Sequence, residues 1–245
     1  MTQRTGSIKN ILARIQNFLA DLLFPKFCLN CRRQGLYLCD DCTAMIDILS
    51  SYFCLCYEPL RLGKPGKCPV CQRKPLNGLF FAVSYENLLV QALIRQFKYP
   101  PYAKELGKTL SDLIVSHFLL IEKQVPADFA LIPVPVENRK LRSRGFNQSR
   151  EIAFHLAQKW RLPLINNCLI KIKNTEPQMK LSGLERKNNL DDAFACRNQE
   201  LIKDKKIFLV DDVYTTGATM EECSRVLKQA GARQVWGIAA ARSRI

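Results

Sequence analysis

Asp211 and Asp212 stand side by side after the apolar run Ile207, Phe208, Leu209 and Val210, and Val213, Tyr214, Thr215, Thr216, Gly217, Ala218 and Thr219 follow them. Adjacent carboxylates at the carboxyl end of a buried strand can accept hydrogen bonds from vicinal sugar hydroxyls, and one can hold magnesium through water. Small and hydroxyl-bearing residues directly before a helix present backbone N–H groups to a phosphate dianion, and Gly217 lets the backbone approach closely. Each half has an ordinary alternative, since Thr-Thr-Gly is a common helix start and Asp-Asp a common turn. Apolar strand, acidic pair and threonine-rich helix start in one run, residues 207–219, together point to a ribose-phosphate site. Neither the G-x-G-x-x-G pattern nor the Walker lysine loop occurs.

A second chemical cluster is cationic. Arg139, Lys140, Arg142 and Arg144 follow the strand-like Ala130 to Val136 stretch, in which Pro133, Val134 and Pro135 form a rigid turn. Four cations beside a turn can clamp a pyrophosphate, with Arg142 and Arg144 the favoured pair; a solvated basic loop is the plain alternative. Asn147 opens the next helix, for which a plain capping role is the ordinary reading.

The third cluster is sulfur. Cys28 and Cys31 are spaced C-x-x-C, as are Cys39 and Cys42, and two such knuckles place four thiolates around one tetrahedral ion, by default zinc. Cys54, Cys56, Cys68 and Cys71 form a second set, but its first pair is C-x-C, one residue short of the usual knuckle. One or two zinc ions are expected, and a site mixing both sets stays open. A closed four-cysteine site has no free coordination position, so this segment is structural, a metal staple for a core-poor region. Cys168, Cys196 and Cys223 read as buried small hydrophobes. His117 and His155 both fall in predicted helices, as packed or surface residues.

The elements that must position these groups follow from hydrophobic periodicity. Leu79 to Tyr85 reads as a strand, Leu88 to Lys98 as a helix stopped by Pro100 and Pro101, and Ala103 to Leu120 as a second helix. A strand from Ala130 to Val136, a helix from Asn147 to Trp160, the strand Ile207 to Val210, a helix from about Gly217 to Ala230 and a strand from Val235 to Ala240 complete the pattern. Strands alternating with helices imply an α/β fold with a parallel sheet and helices on both faces. Three segments result: an amphipathic helix at 1–25, a cysteine-rich zinc ribbon at 26–78, and the α/β domain at 79–245.

The chain has 245 residues with 47% hydrophobic content, which suits a folded α/β domain with a small appendage. Thirty-seven Lys and Arg against 22 Asp and Glu give +15, a balance that favours polyanionic partners without choosing among them. The apolar positions between Ile8 and Leu23 have helical spacing, and Lys9, Arg14 and Asp21 interrupt them. That run is neither a signal sequence nor a membrane span, and the chain is read as cytoplasmic, where the 11 cysteines stay reduced.

Beyond these local readings, residues 207–219 are similar to the signature of type I phosphoribosyltransferases, and the chain from about Leu22 to Arg244 resembles the ComF family. The resemblance rests on Leu22-Leu23-Phe24-Pro25, the cysteine pairs, Phe97-Lys98-Tyr99 and Ile132-Pro133-Val134-Pro135. It continues through Arg142-Ser143-Arg144-Gly145-Phe146-Asn147-Gln148, through Gln178, Leu181, Arg186, Asn189 and Phe194, and into the loop at 210–219. The short knuckle at Cys54 and Cys56 is its visible departure. The resemblance implies a type I phosphoribosyltransferase fold with an N-terminal zinc-ribbon module, and a site for phosphoribosyl pyrophosphate, or a related nucleotide, with magnesium. It further implies that residues 133–137 hold the pyrophosphate, that residues 139–144 are a mobile segment over it, and that the chain takes part in DNA uptake during natural competence.

Phosphoribosyl transfer needs pyrophosphate to leave an oxocarbenium-like carbon, so positioning and charge stabilisation matter more than a strong base, consistent with two histidines in the whole chain. Asp211, Asp212, Arg142 and Arg144 are then the candidate catalytic residues, and Val213 to Thr219 with Pro133, Val134 and Pro135 the candidate substrate contacts. No residue pattern names the acceptor. Two other functions stay open: a single-stranded DNA-binding competence factor working with a DNA-uptake helicase, and a nucleotide sensor that binds without turnover.

Overall fold

The structure, a computed structural model, describes residues 25–172 and 192–244. The amphipathic run expected at 8–24, and Gln178, Leu181, Arg186 and Asn189 of the family resemblance, lie outside the described residues. The chain divides into two compact units between Ile46 and Asp47. In the smaller unit, backbone bonds from Cys28 N to Arg33 O (2.8 Å) and Arg32 N to Cys28 O (3.0 Å) close a tight turn, and Asp40–Thr43 forms a single helical turn. Residues 47–78, with the second cysteine set, fall in the larger unit.

A six-stranded sheet organises the larger unit. Its strands are β1 (Tyr52–Phe53), β2 (Arg61–Leu62), β3 (Leu79–Ser84), β4 (Phe129–Pro133), β7 (Lys206–Tyr214) and β8 (Gln234–Arg242), in the order β2-β1-β3-β8-β7-β4. β3, β8, β7 and β4 run parallel, as the alternation of strands and helices required. The β1–β2 hairpin joins antiparallel at the β3 edge, so the sheet is mixed, not wholly parallel. A separate hairpin pairs β5 (Leu169–Lys171) with β6 (Phe194–Cys196).

β7 shows why the middle of the sheet is buried on both faces. Phe208 stacks on Phe129 (4.1 Å between ring centroids) and lies near Trp160 and Phe118. Its neighbours Ile207 and Leu209 join the opposite core with Val226 and Leu227 of the helix Ala218–Gln229. Successive residues point to opposite faces, and both faces are covered by helices. The strand continues to Tyr214, past the expected end at Val210, so Asp211 and Asp212 are the sixth and seventh of its nine residues rather than a turn beyond it.

Helix boundaries have local causes. Leu88–Lys98 is capped by Asn87, whose side chain accepts from Leu89 N and Val90 N, and it buries Val90, Leu93, Ile94 and Phe97 at helical spacing. Gln148–Trp160 starts at Asn147, whose side chain accepts from Ser149 N at 3.0 Å. The segment expected to be a mobile loop at 139–144 is instead part of a short helix, Asn138–Arg144, ended by Gly145 at φ +77°. None of its residues is buried. Helix propensity of consecutive Arg, Lys and Leu residues overrides the loop reading there. Among the described residues no helix is long and apolar enough to cross a membrane.

Candidate functional site

The parallel strands β4 and β7 end together, with Pro133 in register with Val210. Val134 extends the pairing by donating its N–H to Val210 O at 2.9 Å, so residues 133–137 leave the sheet beside the acidic pair. Open α/β sheets bind ligands at this carboxyl end.

Two side chains that composition alone does not single out hold that pair. Ser149 Oγ donates to Asp211 Oδ1 at 2.8 Å, and the Asp212 N–H donates to the same oxygen at 2.9 Å. Lys98 Nζ lies 2.9 Å from Asp212 Oδ2. Asp212 is buried, so this ion pair is a partly desolvated one, stronger than its surface counterparts. Burial disfavours the Lys98 ammonium, but Asp212 and then Asp211 outweigh it and hold its pKa above the ordinary lysine value. Burial, reinforced by Asp212, pushes Asp211 up to about 7.

These contacts explain the Phe97-Lys98-Tyr99 and Gly145-Phe146-Asn147-Gln148-Ser149 runs. Phe146 packs on Phe97 with ring centroids 5.5 Å apart, and Gln148 Nε2 donates to Phe97 O. Asn147 Nδ2 donates to Val134 O at 3.0 Å besides capping its helix. The two motifs therefore clasp each other and present Lys98 and Ser149 to the carboxylates. Lys98 lies within one family-specific run and Ser149 directly follows the other, and spacing alone assigns neither a role.

Residues 215–219 join the end of β7 to the helix Ala218–Gln229. Gly217 is the N-cap at φ +83°, and a Cβ there would run into the Tyr214 phenol, so both backbone conformation and close approach require glycine. Thr216 Oγ1 accepts weakly from Ala218 N at 3.4 Å. A helix start leaves its first N–H groups outside the helical ladder, with the positive end of the dipole beside them. Thr215 is exposed, and Val213, Thr216, Ala218 and Thr219 are half-buried.

The basic helix follows directly on residues 133–137. Arg142 is exposed, and the Arg144 guanidinium lies 6.0 Å from the Tyr99 ring centroid. Neither arginine touches the acid pair among the described residues. Glu137 is held by Lys171 at 2.7 Å and by Lys140 at 3.6 Å.

Cysteines gather in the two sets that their spacing predicts, Cys28, Cys31, Cys39 and Cys42, and Cys54, Cys56, Cys68 and Cys71, with the four sulfurs of each set within 4.8 Å of one another. Each set gathers within its own compact unit. Tetrahedral Zn–S bonds of ~2.3 Å put sulfurs about 3.8 Å apart, and the structure has Cys31–Cys39 at 3.6 Å, Cys56–Cys68 at 3.4 Å and Cys68–Cys71 at 3.5 Å. The short C-x-C arm still brings Cys54 and Cys56 into one set, with the buried Leu55 between them. Backbone donation from Leu60 N to Cys54 Sγ at 3.1 Å is support of the kind a thiolate ligand needs. The Cys71 backbone amide holds Cys68 down to about 6, whereas burial and its Cys68 neighbour push Cys56 up to about 12. Four thiols so close cannot all ionise unaided, and a divalent cation resolves that conflict. Both tetrads can hold zinc.

Cys168 and Cys223 are buried as expected, while Cys196 is only half-buried. His117 is buried with Nδ1 on Leu49 O, a packed residue.

With this geometry in view, a family model described as "Phosphoribosyl transferase domain" matches residues 162–242. Competence protein F of Haemophilus influenzae is 36% identical over 115 residues, 46% of this chain and 50% of that protein. Competence protein ComFC of Bacillus subtilis is 26% identical over 205 residues, 79% of each chain. The chain is similar to proteins of the ComF family along most of its length. DNA utilization protein YhgH of Salmonella typhi is similar at 28% identity over 215 residues, 74% of this chain and 93% of that one. Among solved structures, phosphoribosylpyrophosphate synthetase from Mycobacterium smegmatis overlays with a TM-score of 0.32 at 18% identity, covering 56% of this chain and 33% of that one. The matched region of this chain contains Asp211, Asp212 and residues 215–219 and is a type I phosphoribosyltransferase domain. The helix carrying Arg142 and Arg144 precedes that region in sequence.

Proposed function

We propose that this chain binds phosphoribosyl pyrophosphate at the carboxyl ends of β4 and β7 and acts as a phosphoribosyltransferase. The observation that carries this reading is the acidic pair, buttressed by Ser149 and Lys98 and followed within one strand end by a glycine-capped helix N-terminus. In it, the threonines and backbone amides of residues 215–219 hold the 5-phosphate. Asp211 and Asp212 accept from the ribose hydroxyls, and residues 133–135 with Arg142 and Arg144 face the pyrophosphate and stabilise its departing charge. Phosphoribosyl pyrophosphate is carried as a magnesium complex, and the same carboxylates are the oxygen donors available to that ion. Zinc in the two tetrads is structural, because four sulfur ligands leave no position for substrate.

Isothermal titration of the zinc-loaded chain with magnesium and phosphoribosyl pyrophosphate tests this. Wild type should bind saturably, and Asp211→Asn/Asp212→Asn should lose the signal. Absence of saturable binding by the wild type up to millimolar ligand would remove the proposal. Pyrophosphate release on addition of candidate acceptors then separates a transferase from a sensor.

A second reading has a specific observation behind it. The +15 charge and the exposed basic helix, together with similarity to DNA utilization protein YhgH, favour handling of single-stranded DNA in the cytoplasm, alongside a DNA-uptake helicase. Strand affinity that falls steeply with salt and with Arg142→Ala/Arg144→Ala supports it. Affinity indifferent to both rejects it.

A further inference from the structure

The last residue of β8 is a cation with unusual surroundings. Arg242 is only 1% exposed, and its guanidinium donates from Nη1 to Cys54 O at 2.6 Å and from Nη2 to Cys56 O. Nε has no partner among the described residues. Both accepting carbonyls belong to residues of the second cysteine tetrad. The same guanidinium lies 5.2 Å from the Tyr214 ring centroid and 5.4 Å from that of Phe81. Tyr214 and Arg242 are register partners on adjacent strands, so their contact is fixed by the sheet itself.

Tyr214 in turn touches Gly217, the residue that turns the chain into the helix Ala218–Gln229. A second path runs in parallel. Lys74, three residues after Cys71, donates to Leu55 O at 2.7 Å and pairs with Glu221 Oε1 at 3.1 Å. Glu221 sits in the first turn of that helix and accepts a long hydrogen bond from Tyr214 Oη at 3.5 Å. Its second oxygen, Oε2, is buried without a partner among the described residues. An acid–base pair and a buried guanidinium thus tie both arms of the tetrad to the start of one helix.

Burying an arginine with an unpartnered Nε is costly. A purely structural staple needs no such link to residues 215–219. The two carbonyls that accept from Arg242 belong to metal-ligand candidates, so a metal bound to the tetrad would help fix them where the guanidinium needs them.

We infer that Arg242 and Glu221 are positioning residues through which metal occupancy of the second cysteine tetrad orders the phosphate-holding residues 215–219. The inference rests on the proposed role of that loop, and its test has a readout that does not. Wild type, Cys56→Ser, Arg242→Met and Glu221→Gln are prepared with zinc, and metal content is measured for each. Amide hydrogen exchange is followed in the ligand-free proteins, and affinity for phosphoribosyl pyrophosphate with magnesium is titrated.

Cys56→Ser should lose one zinc, and Arg242→Met and Glu221→Gln should keep both. All three should exchange faster at residues 215–220, with β3 and β4 unchanged, and bind the ligand about tenfold more weakly. Unchanged exchange at 215–220 in a zinc-deficient Cys56→Ser overturns the coupling, as does loosening spread evenly over the sheet. Glu221→Gln keeps the side-chain shape and serves if Arg242→Met fails to fold. Should no protein bind the ligand, the exchange result in the free proteins still decides the coupling, and only the reading of the loop falls.

Discussion

Asp211→Asn separates the demands of folding from those of ligand binding. Asp211 is held between Ser149 Oγ and the Asp212 N–H, both donors, and asparagine Oδ1 accepts from both just as the carboxylate does. What the substitution removes is charge beside a second carboxylate. Burial and Asp212 raise Asp211 from 3.8 to about 7. The folded state therefore binds the proton more tightly than the unfolded chain, so the carboxylate is neutral and harmless below about 4 and costs stability progressively as pH rises toward about 7. At about 1.4 kcal/mol per pH unit the ceiling is ~4 kcal/mol, and solvent on the open side of the half-buried carboxylate reduces it to ~2 kcal/mol. For a unit of this size ~2 kcal/mol corresponds to a gain of about 4–8 °C in Tm. Thermal melts of ligand-free wild type and Asp211→Asn in magnesium-free buffer, from pH 5.5 to 8.5, measure the difference at matched pH. The variant should be the more stable, with the gap widening to about pH 7 and flat above, while losing affinity for phosphoribosyl pyrophosphate. Equal melting temperatures at pH 8, or a variant less stable throughout, would refute the claim that this site trades stability for ligand recognition.

Lys98→Met leaves Asp212 buried without its ion pair and should cost ~2 kcal/mol in urea unfolding, less than a fully buried pair because the Lys98 side chain is 28% exposed. Gly217→Ala forces a Cβ into the Tyr214 phenol at φ +83°, and should lower stability by ~2 kcal/mol and remove ligand-induced thermal stabilisation. Arg142→Ala/Arg144→Ala should weaken phosphoribosyl pyrophosphate by about tenfold or more while leaving ribose 5-phosphate affinity within about twofold, since only the former carries the pyrophosphate; equal losses for both ligands would place the arginines elsewhere. Metal analysis should give two zinc ions per chain, and a Cys28→Ser/Cys31→Ser variant should give one.

Much of this was legible from local rules. The helix Leu88–Lys98 and its stop at the prolines follow from periodicity, and Asn147 was readable as a cap. The Cys28, Cys31, Cys39 and Cys42 tetrad follows from spacing, whereas the short C-x-C arm of the second set joins its tetrad despite lacking the usual knuckle length. Other features were hidden because they are set by tertiary contact. β7 runs on to Tyr214 because β8 continues beside it, pairing Asp211 with Ala239 and Tyr214 with Arg242, whereas local propensity alone ends the strand at the first aspartate. The basic residues at 139–144 read as a loop because charge is a surface signal for both loops and exposed helices.

Lys98 lies 114 residues before Asp212 and Ser149 lies 62 residues before Asp211, and no pattern at that separation marks a lysine or serine as a carboxylate's partner. Only the clasp of Phe146 on Phe97 brings them to one strand end. The family-specific runs thus owe their form to building the acidic site from three distant segments. Arg244 and Arg242 look alike in sequence, two cations of a basic tail, yet one stacks over exposed Tyr57 and the other is buried beside Tyr214. Net charge counts them equally, while burial sets Arg242 against the Cys54 and Cys56 carbonyls and the Tyr214 ring.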